Sequence, residues 1–220
     1  MGKRAIVLGA TGLTGGLLID KLLEDSRYDS ILSIGRRTLE KDHYKLEEVI
    51  LDLMNLEEYS DKFKGDVVFC CVGTTKAKTP DKEIYKKIDK GIPVSAAKLC
   101  KQNSIGSLMV ISALGADKNS RIFYNRVKGE MEEEVLSYKV PTTYILEPSL
   151  IMGDRDEKRG GEGIAQNIMG FLSPLFLGGL KKYKPISAEA IAECMIWLDN
   201  NSYEKSIIPS PEIQKIAGYD

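Results

Sequence analysis

Hydrophobic positions in this chain follow two rhythms. Short runs rich in Val, Ile and Leu recur as RAIVLG (4–9), SILSIG (30–35), EEVILD (47–52), DVVFCCVG (66–73), SLMVISA (107–113) and TTYILEPSLI (142–151). A last short run, KSIIPS (205–210), offers an edge. Their composition suits strands buried on both faces of a parallel sheet. Between them the apolar residues fall at helical spacing. Leu13, Leu17, Leu18 and Leu22 form one stripe, and Val127, Met131 and Val135 form another that stops at Pro141. Residues 82–102 read as a helix interrupted near Gly91 and Pro93. The stretch 187–201 opens on Ser187, an N-cap residue. Ala190, three positions on, cannot reach back, so a cap is expected there without a capping box.

Strand–helix alternation along the whole chain predicts an α/β fold, a doubly wound parallel sheet with right-handed crossovers. Nothing marks a boundary, so residues 1–220 read as a single domain. Residues 153–184, rich in Gly and charge with an apolar middle, read as a substrate-side lid over the sheet's C-terminal edge.

Composition narrows the function. The 220 residues are 43% hydrophobic and 29% charged, with a formal net charge of -1. That balance gives no attraction to nucleic acid or to an acidic membrane surface. The N-terminal apolar run meets glycines at once and reads as a first strand, not a signal peptide. IAQNIMGFLSPLFLGGL is broken by Gln166, Asn167, Ser173 and Pro174, which argues against a membrane span and leaves an interfacial helix as the alternative. Cys70, Cys71, Cys100 and Cys194 lack zinc-like spacing and read as buried free thiols of a reducing cytoplasm. Adjacent Cys70 and Cys71 should face opposite sides of the sheet. One histidine, His43, lies in a charged stretch, so neither a His-based triad nor a multi-histidine metal site is expected.

The chemistry begins at GATGLTG (9–15), between the first strand and the first helix. Gly9 suits a tight turn, Gly12 a close approach of pyrophosphate to backbone, and Gly15 close packing of helix on sheet. The helix N-terminus then offers N–H groups and a favourable dipole to phosphate. The second strand ends in Gly35, Arg36 and Arg37, where NAD-binding sheets usually place an acid for the ribose 2′-hydroxyl. Guanidinium groups suit a 2′-phosphate, so the expected cofactor is NADP(H) over NAD(H). Asp52 closes the third run, within reach of the adenine amino group. Gly73, Thr74 and Thr75 close the fourth, where the backbone passes close to the cofactor.

Tyr124 and Lys128 are four apart and share a helix face. An ammonium beside a phenol favours phenolate and lowers its pKa, so this tyrosine can exchange a proton with a carbonyl or alcohol oxygen. Ser112, ending the fifth strand, can hydrogen-bond the same oxygen. With 10 tyrosines and 31 Lys and Arg residues, such spacing also arises by chance as a surface pair. What distinguishes this pair is its place at the C-terminal ends of the strands, where open α/β sheets bind ligands.

GATGLTG, YNRVK and the upstream Ser112 together resemble the short-chain dehydrogenase/reductase superfamily, extended or atypical type. CCVGTTKAK, SALGADKNSRIFYNRVKGEMEEEV and EPSLIMGDRDEKRGGE resemble, more narrowly, the Tat-interacting protein group of small NAD(P)-binding proteins. The similarity runs through most of residues 3–200. It implies a Rossmann-type sheet of strand order 3-2-1-4-5-6, with NADP(H) on Gly9, Thr11, Gly12, Leu13, Thr14, Gly15, Arg36 and Arg37. It further implies Asp52 and Leu53 near adenine, Val72, Gly73 and Thr74 near the ribose, and Pro148, Ser149 and Leu150 at the nicotinamide end. Ser112, Tyr124 and Lys128 would be the catalytic trio, with Tyr124 and Lys128 also touching cofactor. Relatives often carry an arginine before that proline; this chain has Glu147.

Two functions follow. One is an NADP-dependent oxidoreductase moving hydride to or from a small carbonyl or alcohol substrate. The other is an NADP(H)-binding regulatory protein in which cofactor orders residues 153–184 to meet a protein partner, through the apolar stretch IMGFLSPLFLGGL.

Overall fold

A computed structural model describes residues 2–153 and 183–219. Seven parallel strands form one sheet in the order β3-β2-β1-β4-β5-β6-β9. These are β1 (Lys3–Leu8), β2 (Tyr28–Gly35), β3 (Leu46–Ile50), β4 (Val67–Cys70), β5 (Ser107–Ile111), β6 (Thr142–Glu147) and β9 (Ile207–Pro209). Two short strands, β7 (Ile151–Met152) and β8 (Ile186–Ser187), pair separately. The expected order is thus observed, with β9 added at the edge beside β6. The run expected over 142–151 splits at Pro148, which cannot donate to a ladder. Most of the expected lid, residues 154–182, lies outside the described residues.

The helices are α1 (Leu13–Glu24), α2 (Lys82–Lys86), α3 (Ile92–Gln102), α4 (Phe123–Ser137), α5 (Ala188–Asn200) and α6 (Ser210–Ile216), with a 3-10 segment at Leu53–Lys62. Alternation along the strands feeds two cores. Ala5 and Val7 join Leu18, Ile19, Ile191 and Met195 on one face, while Ile6 and Leu8 join Ala96, Leu99, Met131 and Val135 on the other. Cys70 belongs to the second core and Cys71 packs against the first, so the adjacent thiols do face opposite sides. Ser187 caps α5, accepting from the Ala190 N–H at 3.1 Å.

The expected break near Pro93 takes a specific form. The chain stays helical from Lys82 to Gln102, with a π turn over Lys87–Gly91. Proline has no N–H to give the carbonyl four residues back, which here is that of Asp89. The ladder widens over that turn instead of ending. Asp89 lies within that turn and is 1% exposed.

The glycine turn has little room. Gly9 adopts φ +84, and a Cβ built on Gly15 would stand 2.3 Å from the Gly9 carbonyl oxygen. A Gly15→Ala variant is expected to lose about 1–3 kcal/mol of stability in urea unfolding, as overpacking forces backbone apart. Gly106→Ala, whose Cβ meets nothing within 4 Å, serves as the neutral comparison.

Candidate active site

The groups expected to hold a ligand gather at the C-terminal ends of β1, β3, β4, β5 and β6. Gly9 turns out of β1, and the Gly12 N–H returns to its carbonyl at 2.9 Å. Gly12 is the N-cap of α1, with no side-chain cap and no acidic residue in the first turn. Because Gly9 and Gly15 allow the turn to lie this close to β1, backbone N–H groups are presented to solvent at a helix start, which fits a pyrophosphate. Leu13 extends from this helix start toward Gly153, where a Cβ would meet its side chain at 2.8 Å.

Arg36 and Arg37 follow β2, both exposed and without an ion pair to any described residue. Asp52 caps the 3-10 segment, accepting from the Met54 N–H at 3.1 Å, while Leu53 is buried in the core. Val72 is buried after β4. The Leu114 N–H donates to the Pro148 carbonyl at 2.9 Å, which ties the loop after β5 to the end of β6. Ser149 donates to the Lys184 carbonyl and accepts from Ser210, and Leu150 is exposed.

Ser112, Tyr124 and Lys128 converge between these ends. Ser112 continues β5, its N–H bonded to the Leu146 carbonyl at 2.7 Å. Tyr124 sits in the first turn of α4, and Lys128 lies one turn deeper. Lys128, 3% exposed, pairs with Asp89 at 3.0 Å. The second Asp89 oxygen accepts from the Thr74 N–H at 2.8 Å. One buried carboxylate thus fixes both the lysine and the loop after β4. Sequence reasoning did not single out Asp89, although it lies four residues after the buried Tyr85 and three before the buried Ile92, on the inward face of the helical run.

The electrostatics depart from the expectation at Tyr124. Burial among its neighbours raises its phenol, Lys128 lowers it, and Asp89 raises it again, for a net upward shift. Lys128 is not a lone cation here: Asp89 opposes its pull, and burial outweighs it. The phenol therefore keeps its proton at neutral pH and suits a proton donor. Tyr85 flanks it, ring centroids 6.4 Å apart and edge-on, and donates its own hydroxyl to the Thr74 carbonyl.

Two carboxyls complete the surroundings. Glu132, one turn beyond Lys128 on α4, accepts the Ser112 hydroxyl in a buried hydrogen bond. Burial raises its carboxyl, against the lowering effects of Ser112 and Lys128. Glu147, where relatives often carry arginine, is pushed up to about 7 by burial and by the Glu132 charge. Next to Tyr124 opens a cavity of about 490 Å3, walled by Tyr85, Ile122, Phe123 and Thr74, with Lys76 and Lys82 also in its lining. Among the described residues no cluster of His, Cys, Asp and Glu has the makings of a metal site.

A parallel sheet of this order, with a glycine turn into its first helix and polar groups gathered at its C-terminal edge, defines a dinucleotide-binding Rossmann protein. The chain belongs to the NAD(P)H-binding family, whose model matches residues 9–149. Protein HTATIP2 of Rattus norvegicus is 33% identical over 181 residues, covering 80% of this chain and 74% of that protein. The mitochondrial protein FMP52 of Candida albicans is 33% identical over 196 residues, covering 86% and 85%. Among solved structures, the fold is similar to UDP-N-acetylglucosamine 4-epimerase from Methanobrevibacter ruminantium. That match has a TM-score of 0.71 at 18% identity, covering 94% of this chain and 76% of that one. WbmH of Bordetella bronchiseptica, solved with NAD+, gives 0.69 at 13% identity, covering 93% and 74%.

These relatives correct one expectation. Several FMP52 homologues are mitochondrial proteins, which conflicts with a purely cytoplasmic location. The cysteine pattern that suggested cytoplasm reports only a reducing environment and does not separate one such compartment from another.

Two outcomes test this electrostatic arrangement. Asp89→Asn leaves Lys128 buried without its counter-charge, at an expected cost of about 3–5 kcal/mol in urea unfolding. The same change lowers the Tyr124 phenol, read as the tyrosinate absorbance that a Tyr124→Phe background lacks. Glu147 gives the second. In the folded state its carboxyl holds a proton up to about pH 7, whereas the unfolded chain releases it in the ordinary carboxylate range. The unfolded state therefore binds fewer protons across that window, and stability falls as pH rises through it. Melting temperature measured from pH 4 to pH 8 should show that fall in the native protein and a flatter profile in Glu147→Gln.

Proposed function

We propose that this protein is an NADP-dependent oxidoreductase of the short-chain dehydrogenase/reductase type, moving hydride to or from a small carbonyl or alcohol. The observation that supports this reading is a cavity with Tyr124 in its wall, one helical turn from the buried Lys128, whose ammonium lies against the carbonyl of Ile111 just before Ser112. The mostly apolar wall of Tyr85, Ile122 and Phe123 favours an apolar carbonyl compound over a sugar.

Gly9, Thr11, Gly12, Leu13, Thr14 and Gly15 hold the pyrophosphate. Arg36 and Arg37 take the 2′-phosphate, which neither NAD nor NADH carries. Asp52 and Leu53 flank adenine. Val72, Gly73 and Thr74 line the ribose side, and Pro148, Ser149 and Leu150 the nicotinamide side. The bound cofactor supplies or accepts the hydride. Tyr124 carries the proton, giving its phenolic hydrogen to the substrate oxygen in reduction and recovering one in oxidation. Lys128, held by Asp89, stabilises the phenolate formed in between. Ser112 positions the substrate oxygen.

Side-by-side fluorescence titration with NADPH and NADH checks the cofactor. NADPH should bind more tightly, and Arg36→Ala with Arg37→Ala should cost about ten- to a hundredfold in NADPH affinity while sparing NADH. Equal binding of the two by the native protein overturns the NADP assignment. On a carbonyl substrate, Tyr124→Phe should reduce turnover by about a hundred- to ten-thousandfold, the usual worth of a positioned proton donor. A full rate in that variant overturns the catalytic role.

A further inference from the structure

Ser112 has one hydroxyl proton and two lone pairs, so it donates to a single acceptor at a time. In this structure the donor is already in use, because Ser112 gives it to Glu132 in a buried bond. A serine so engaged presents only lone pairs to a substrate. It can accept from an alcohol but cannot donate to a carbonyl oxygen.

We propose that Glu132 is a positioning residue that sets the polarity of Ser112. Ionised, it holds the Ser112 proton and leaves an acceptor facing the substrate. Protonated, it donates into Ser112 and frees the Ser112 proton for a carbonyl oxygen. Only hydrogen positions change between the two states, with one proton taken up from solvent.

The surroundings make the second state reachable. Burial raises the Glu132 carboxyl. Glu147 ends β6, beside the strand from which Ser112 emerges, and the Glu132 charge raises its carboxyl in turn. Two carboxyls kept from water in one place resist double ionisation, so one of them retains a proton well above the ordinary range. Against this stands Lys128, one turn away on α4, which favours an ionised Glu132. Asp89, from the π turn, pairs with that lysine and blunts its effect. Tyr124, in the first turn of α4, contributes a neutral phenol. Ser112 therefore favours alcohol at high pH and carbonyl at low pH. This rests on the oxidoreductase reading, in which Ser112 meets the substrate oxygen, but the Ser112–Glu132–Glu147 coupling does not require it.

The test is a carbon-13 NMR titration of the full chain labelled at glutamate carboxyls, with no cofactor or substrate present. Native protein should show one carboxyl titrating near pH 7, assigned to Glu147 by its loss in Glu147→Gln. Ser112→Ala should move the Glu132 midpoint upward by about one pH unit, since the ionised form loses its donor. Glu132→Gln should move the Glu147 midpoint downward, and this second variant carries the test if Ser112→Ala does not fold. An unmoved Glu132 midpoint in Ser112→Ala, or an unmoved Glu147 midpoint in Glu132→Gln, overturns the proposal. Failure to bind NADPH would defeat the functional reading instead, and would leave these midpoints as they are.

Discussion

The central strands of this protein are buried on both faces, and that constraint dictates where chemistry can occur. Ala5–Leu8, Val67–Cys70 and Leu108–Ile111 are apolar and covered by helices on either side. A charged group placed among them would have to leave water without a partner. Polar function is therefore displaced to the strand ends. The glycine turn after β1, the loop after β4, Ser112 after β5 and Glu147 at the end of β6 all collect at one edge.

At that edge the protein does bury charge, and each buried group is answered by another. Lys128 and Asp89 are buried together, the lysine on α4 and the carboxylate on the π turn packed against it. The same carboxylate receives the Thr74 N–H, so the loop after β4 is tied to α4 through a single side chain. Replacing such a pair by apolar residues is often harmless, whereas removing one member is costly. Here the pair also has an electrostatic consequence: Asp89 opposes the pull of Lys128 on Tyr124, whose phenol is held protonated chiefly by burial.

Carboxylates surround the candidate serine as well. Ser112 sits between Glu132 and the end of β6, where Glu147 stands in place of the arginine frequent among relatives. An arginine there would offset the Glu132 charge. Burial first, and then the Glu132 charge, push the Glu147 carboxyl up to about 7. The region is thus poised to respond to pH without a histidine; His43 lies elsewhere, its ring stacked on Tyr44.

The order of the inner strands came from the family resemblance, while the amino-acid sequence by itself determined the α/β alternation, the glycine turn and the Ser112, Tyr124 and Lys128 positions. These are legible because they depend on local rules: apolar periodicity, strand-end glycines and the i, i+4 geometry of a helix face. Family resemblance added the cofactor-side residues whose roles no local rule reveals. The tertiary structure alone decided the rest. Helix packing paired Asp89 with Lys128, and strand pairing brought Glu147 beside a serine bonded to a glutamate twenty residues further along the chain. The sign of the Tyr124 shift was decided there too, because a pKa depends on every charge and every solvent-excluding neighbour in three dimensions, and spacing along the chain reports only one of them.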